Sequence, residues 1–309
     1  MPSIQTYLLV RFLRWRIKKP IKDPVDLAAI RIQLGQPYRG RIPRDIQIKT
    51  VHGPVPGEWV ASDRAARDAP IMLYLHGGGF FACSPATHRA VTIAFARSGG
   101  LRLFVPDYRL APEHRFPAAL DDAITCCDWI ATETGQPVAA IAGDSAGGNL
   151  ALATLLRLRD TGRPMPAVGV AFSAVTDLAA TGISIIENDR RDALFFGASV
   201  ARLAEVYLPP ELDPRDPFAS PLYADLTGLP PILLHVGGDE VLRDDSVRFA
   251  ARAQAAGVDV TLRVWPGVPH AWQLMAQLLP EGRRSLQEAL HFVLHAIEGS
   301  RSRSRKEAA

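Results

Sequence analysis

The sequence predicts an α/β fold: a mostly parallel central sheet flanked by helices on both faces, with a helical cap over it. Three observations predict it. Short apolar runs recur along the chain, helical patterns separate most of them, and two long stretches break the rhythm without adding strands. Strands alternating with helices bury both faces of a parallel sheet through right-handed crossovers.

The elements follow in chain order. Residues 45–51 alternate polar and apolar side chains, which predicts an early strand. Apolar runs predict further strands at 71–75, 101–105, 138–142, 168–172, 232–236 and 260–264. Helical patterns cover 85–98, 118–134, 149–161 and 246–256. Residues 1–45 carry helix but no strand, and residues 178–220 form a long insertion between two strands. Connections longer than ~15 residues in a compact domain are usually lids or binding elements. Both regions are therefore expected to build the cap, with 46–300 forming the main domain and 301–309 a disordered basic tail.

Bulk properties narrow the function classes. The chain of 309 residues suffices for one large domain, and 48% apolar with 22% charged residues is ordinary for a globular enzyme. The net charge is only +3, part of it in the basic run at 301–306. No other basic stripe is interleaved with aromatics, so no nucleic-acid partner is expected. Cys126 and Cys127 are adjacent and Cys83 stands alone, which suits a reducing compartment and a cytoplasmic location. The apolar, basic stretch 7–19 is too short to span a bilayer and has no secretory cleavage pattern. It is expected to be a helix covering the site, with weak membrane-surface contact as the alternative. A homodimer is compatible with the apolar cap and C-terminal helix.

Gly143-Asp144-Ser145-Ala146-Gly147-Gly148 carries the chemistry. It lies between an apolar strand and a helical pattern, as a nucleophile elbow does. A serine on such a turn is strained and exposed, and the helix N-terminus faces developing negative charge. A second motif, His76-Gly77-Gly78-Gly79-Phe80, follows an apolar strand. Glycines there let backbone N–H groups reach a ligand, so Gly78, Gly79 and Ala146 are the expected oxyanion donors.

A serine hydroxyl needs a base, and the base needs a third group to fix its tautomer. The expected chain order is serine, acid, histidine. His52, His76, His88 and His114 precede Ser145; His235 reads as a packed strand residue; His291 and His295 lie four apart on a helix without a third metal ligand. His270, in a loop with Pro266 and Pro269, remains as the base. Asp239 and Glu240, at the end of the preceding strand, compete as the acid.

These pieces, with Asp107 to His114, Phe116-Pro117-Ala118, Ser220-Pro221, Leu229-Pro230-Pro231 and Leu242-Arg243-Asp244, resemble the hormone-sensitive-lipase-like (bacterial family IV) esterases of the α/β-hydrolase fold. The resemblance spans about residues 70–275. It implies hydrolysis of short- to medium-chain acyl esters by a serine carboxylesterase, with no metal or organic cofactor. The family's acid loop usually reads Asp-Pro-Leu-x-Asp. Anchoring on Leu242-Arg243-Asp244 places Glu240 at the catalytic position, whereas Asp239 needs a one-residue shift. By the same resemblance Asp107, Arg109, Glu113 and His114 brace the wall beside the oxyanion loop through buried ion pairs and hydrogen bonds, and Asp144 reads as support for the nucleophile turn. Phe80, Phe81, Leu194, Phe195 and Phe196 are the expected pocket residues. An amidase or lactonase on the same scaffold, and a non-catalytic ligand-binding homologue, are the rival readings.

Overall fold

The computed structural model describes residues 2–19 and 26–307. Its centre is an eight-stranded sheet: β1 (Ile46–His52), β2 (Pro56–Ser62), β3 (Ile71–Leu75), β4 (Arg102–Pro106), β5 (Ala140–Asp144), β6 (Val168–Phe172), β7 (Ile232–Gly237) and β8 (Val260–Trp265). The spatial order is β1-β2-β4-β3-β5-β6-β7-β8. The pairings β1/β2 and β2/β4 are antiparallel and the remaining five are parallel. The seven expected strands are present, each within two residues of its expected ends.

The eighth, β2, was not expected, because it begins with Pro56-Gly57 and its apolar content is low. Both residues have a place in the sheet. Pro56 opens the strand beside the hairpin, where no ladder donor is needed. A Cβ on Gly57 would sit 2.6 Å from the carbonyl oxygen of Val105, so only glycine lets β2 lie this close to β4.

The period-2 pattern sorts side chains to opposite faces. Ile71, Leu73 and Leu75 pack in one cluster with Leu120, Ile130, Leu150, Leu155 and Phe249. These come from α4 (Ala118–Thr134), α5 (Ala146–Asp160) and α8 (Arg243–Ala255). Met72 and Tyr74 pack in the other cluster with Val91, Phe95, Leu286 and Val293, from α3 (Arg89–Gly99) and α9 (Pro280–Glu307).

Helix α9 reaches into the segment expected to be a basic tail. It runs to Glu307. Residues 308–309 lie outside the described residues.

Four further helices stand over the carboxyl edge of the sheet: α1 (Ile4–Arg16), α2 (Leu27–Leu34), α6 (Ser184–Glu187) and α7 (Ala198–Tyr207). Glu281, in the first turn of α9, holds α1 in place. Its carboxylate accepts from Ser3 N–H at 2.6 Å, Ser3 Oγ at 2.9 Å and Thr6 Oγ1 at 2.7 Å. Burial opposes ionisation of Glu281, but these donors outweigh it and lower its pKa to about 2. Among the described residues no helix is long and apolar enough to cross a membrane.

Candidate active site

Strand β5 delivers Ser145 directly onto the first turn of α5. Ser145 has φ 55° and ψ −121°, a conformation that costs a non-glycine residue ~1–3 kcal/mol. The surroundings hold it there. Its N–H donates to Phe172 O at 2.7 Å, and its carbonyl accepts from Val175 N–H at 3.3 Å. The flanking glycines are required by contact distances. A Cβ at Gly143 would lie 2.2 Å from Gly147 O, and one at Gly147 would lie 2.0 Å from Leu75 O. Asn149 fixes the next loops, donating through Nδ2 to Val175 O and Ala219 O at 2.7 and 2.8 Å.

The glycine loop leaves β3 beside this elbow. Gly78 and Gly79 have φ of 118° and 64°, which L side chains rarely adopt. Buried Asp144 organises the start of the loop: it accepts from Tyr74 Oη at 2.7 Å and from Gly77 N–H at 3.3 Å, and it faces His88 Nε2 at 3.3 Å. Burial alone would raise the Asp144 pKa, but the charge and hydrogen bond of His88 and the Tyr74 hydroxyl lower it. Burial and neighbouring His88 depress His76 to about 3, so its imidazole is neutral. Among the described residues, nothing accepts from the N–H groups of Gly78, Gly79 or Ala146.

The third component comes from the loops after β7 and β8. His270 Nδ1 lies 2.7 Å from Glu240 Oε2, with both side chains buried. Glu240 Oε1 accepts from Gly237 N–H at 2.5 Å and from Ser173 Oγ at 2.7 Å. Ser173 Oγ in turn accepts from Ala271 N–H at 3.2 Å. One buried hydroxyl thus ties the carboxylate to the histidine loop. Burial would lower the His270 pKa, but the Glu240 charge and hydrogen bond, with Asp192 and Asp144 adding, raise it above 6.5. Asp239 is only half-buried and lies outside this network.

These pieces meet at a cavity of about 400 Å³. Ser145, His270, Gly78 and Gly79 line it, and so do Phe81, Leu194 and Phe195 among the expected pocket residues. Helix α2 contributes Leu27, Ile30 and Leu34; α7 contributes Val200, Leu203 and Val206. Phe195 meets the His270 ring edge-on at 5.0 Å.

Two expected pocket residues lie elsewhere. Phe80 is fully buried and stacks on Tyr207 at 3.7 Å, because its positive φ turns the side chain into the core. Phe196 lies against the Lys18 ammonium at 4.3 Å instead of the cavity. The bracing ion pairs are also more exposed than expected. Arg109 pairs with Asp122, and Glu113 with Arg31, each pair having a partner about half exposed. Asp107 and His114 are exposed.

Sequence reasoning missed Ser173, Asp192 and Arg31. Asp192 accepts from Leu194, Phe195 and Val241 N–H groups at 2.7–2.9 Å, joining the cavity roof to the acid loop. Arg31 reaches Phe81 O and Ala111 O, each at 2.7 Å, and joins α2 to the glycine loop. Ser173 had a usable signal, since it directly follows the carboxyl end of a central parallel strand, where ligands bind in such sheets.

Sheet order, elbow and glycine loop define the class, and the chain belongs to the α/β-hydrolase family, whose model matches residues 72–274 with the description "alpha/beta hydrolase fold". Within it the chain is a hormone-sensitive-lipase-like serine carboxylic ester hydrolase. It is 39% identical over 283 residues to an acetyl-hydrolase of Streptomyces hygroscopicus, covering 91% of this chain and 92% of the relative. An esterase of Acinetobacter venetianus is 34% identical, with 80% and 82% covered. A solved esterase from the bacterial hormone-sensitive lipase family superposes with a TM-score of 0.87 at 39% identity, covering 96% of this chain and 99% of that one.

Proposed function

We propose that the enzyme cleaves short- to medium-chain acyl esters through Ser145 as nucleophile, His270 as general base and Glu240 as the acid, with Asp239 outside the mechanism. The observation that carries this reading is the buried His270–Glu240 contact of 2.7 Å on the cavity that Ser145 also lines. An ionised carboxylate only accepts, so Glu240 takes the Nδ1–H of His270 and leaves Nε2 free to accept the serine proton.

Ser145 Oγ attacks the ester carbonyl as its proton passes to His270. The oxyanion receives N–H donors from Gly78, Gly79 and Ala146, each contributing roughly 3 kcal/mol to the transition state. The imidazolium protonates the departing alcohol. A water then gives its proton to His270 and attacks the acyl-enzyme, the tetrahedral intermediate collapses to the free acid, and the proton returns to Ser145.

The N-terminal helices and the 178–220 segment act as the cap over this chemistry. Phe81, Leu194 and Phe195 form its apolar wall. Such a wall discriminates by only ~1–3 kcal/mol per methylene, so a gradual preference for short acyl groups is expected. A solved structure 34% identical to this chain is that of EstE5 soaked with p-nitrophenyl butyrate, an ester of that size.

The test is intact-mass analysis after treatment with a phosphonate ester. One adduct at Ser145, absent from Ser145→Ala, is expected together with loss of p-nitrophenyl ester hydrolysis. An unmodified Ser145 would overturn the assignment. Hydrolysis of a matched anilide as fast as the ester would redirect it to amidase chemistry.

A further inference from the structure

Helix α1 is apolar on two opposite sides. Its inner side is accounted for: Val10 and Leu13 are buried, and pack with Leu9 against Ala193 and Leu194. Its outer side has the wrong composition for water. At 100° per residue, Ile4, Leu8, Arg11 and Trp15 share the outermost ridge, flanked by Tyr7 and Phe12. Trp15 is 78% exposed, Ile4 66% and Leu8 59%. A surface helix of a globular protein normally turns charged and polar residues outward. Here five of the eight exposed residues of α1 are apolar or aromatic.

The charges of this segment have one sign. Arg11, Arg14, Arg16, Lys18 and Lys19 are basic, and no acid occurs before Asp23. Arg14 donates to Arg191 O and Lys18 to Asp192 O, so those two cations fasten α1 to the neighbouring turn. Arg11, Arg16 and Lys19 are exposed, and Arg190 and Arg191 on that turn are exposed as well. The nearest acids of the turn are engaged inward: Asp189 accepts from Gly197 N–H, and Asp192 from the cavity roof. Large apolar and aromatic side chains surrounded by cations fit an interface of acyl chains beneath anionic headgroups.

We infer that α1 docks the enzyme on an anionic lipid surface, with Ile4, Leu8, Phe12 and Trp15 in the interface and Arg11, Arg16 and Lys19 at the headgroups. The cavity lies on the inner side of α1, where Val10 and Leu13 pack with the lining residue Leu194. Lys19, three residues beyond α1, lines it, and so do Leu27, Ile30 and Leu34 of α2. Docking therefore holds the cavity one helix away from the lipid and favours amphiphilic esters partitioned there. The docking itself does not depend on which residue is the nucleophile.

The test is cosedimentation of the full chain with vesicles of phosphatidylcholine alone and of an equal mixture with phosphatidylglycerol. Binding to the mixed vesicles at least about tenfold tighter than to neutral ones is expected. Leu8→Ser with Trp15→Ser should weaken that binding about tenfold or more. Arg11→Glu with Arg16→Glu should remove the preference for anionic vesicles. None of these side chains lines the cavity, so p-nitrophenyl acetate hydrolysis in solution should be unchanged, and it monitors folding and the active site separately. Equal sedimentation with both vesicle types, or binding insensitive to both double variants, would overturn the inference. So would sedimentation velocity showing a dimer that Leu8→Ser with Trp15→Ser dissociates, since a second copy would then cover this face.

Discussion

The floor and the roof of the cavity are built by different forces. The floor consists of three loops at the carboxyl edge of the sheet, joined by buried hydrogen bonds. Phe172 O holds Ser145, Ser173 links Glu240 to Ala271, and Asp144 holds Gly77. The roof is mostly apolar side chains from α2, α7 and the Leu194–Phe195 turn, attached by a few long cations on backbone carbonyls. Directional bonds fix atoms to within fractions of an ångström, whereas apolar contact tolerates rearrangement. Changes to the floor should therefore cost turnover, and changes to the roof should alter which substrates enter.

The sharpest way to break this contrast is at the floor. Ser145→Ala should lower kcat by ~10⁶, measured with a p-nitrophenyl ester. Glu240→Gln should lower it by ~10³ or more while Asp239→Asn changes it little. The reverse ranking would assign the acid to Asp239. The pH profile tests the same pair. His270 must be neutral to accept a proton, and its pKa is raised, so kcat/KM should fall on the acid side with a midpoint above pH 6.5. Loss of the Glu240 charge should move that midpoint down.

Ser173→Ala tests the link between the two loops. It should reduce kcat about tenfold with KM little changed. With one donor fewer, the carboxylate attracts the His270 proton more strongly, so the acid limb should move up. An unshifted profile would make Ser173 a packing residue only. At the roof, Arg31→Ala should raise KM by roughly fivefold and leave kcat within about twofold. A loss confined to kcat would show that the glycine loop itself depends on Arg31.

The smallest expected effect is on stability. The Glu281 pKa is depressed in the folded state from 4.5 to about 2, so its bonds to Ser3 and Thr6 stabilise the fold fully above pH 4.5. That contribution is lost as pH falls through about 2. Glu281→Gln should lower Tm at neutral pH and flatten its dependence on acid. Parallel Tm–pH curves for the two proteins would refute the assignment.

The floor was the more legible half in the sequence. Gly143 to Gly148 and His76 to Gly79 are contiguous, and steric demands at each glycine write themselves into the local pattern. The acid was not separable by spacing because Asp239 and Glu240 adjoin. What distinguishes them is burial and the donors Ser173 and Gly237, which are set by the packing of other loops. Phe80 and Phe196 flank the true wall residues Phe81 and Phe195, and only backbone conformation decides which way each ring turns. Strand β2 escaped because its pairing with β4 depends on the absence of a side chain at Gly57. Asp192 and Arg31 act across long sequence separations, and composition carries no record of that.

The anchoring of Ser145 to Phe172 has a thermal consequence. The strained turn is clamped between β5 and β6 at the middle of the sheet, so it can relax only when the central strands separate. The helices above have no such restraint and should loosen at lower temperature. On warming, discrimination between acyl chain lengths should fade several degrees before hydrolysis of a small acetate ester does, leaving a temperature window in which the enzyme is still fast but has become indiscriminate.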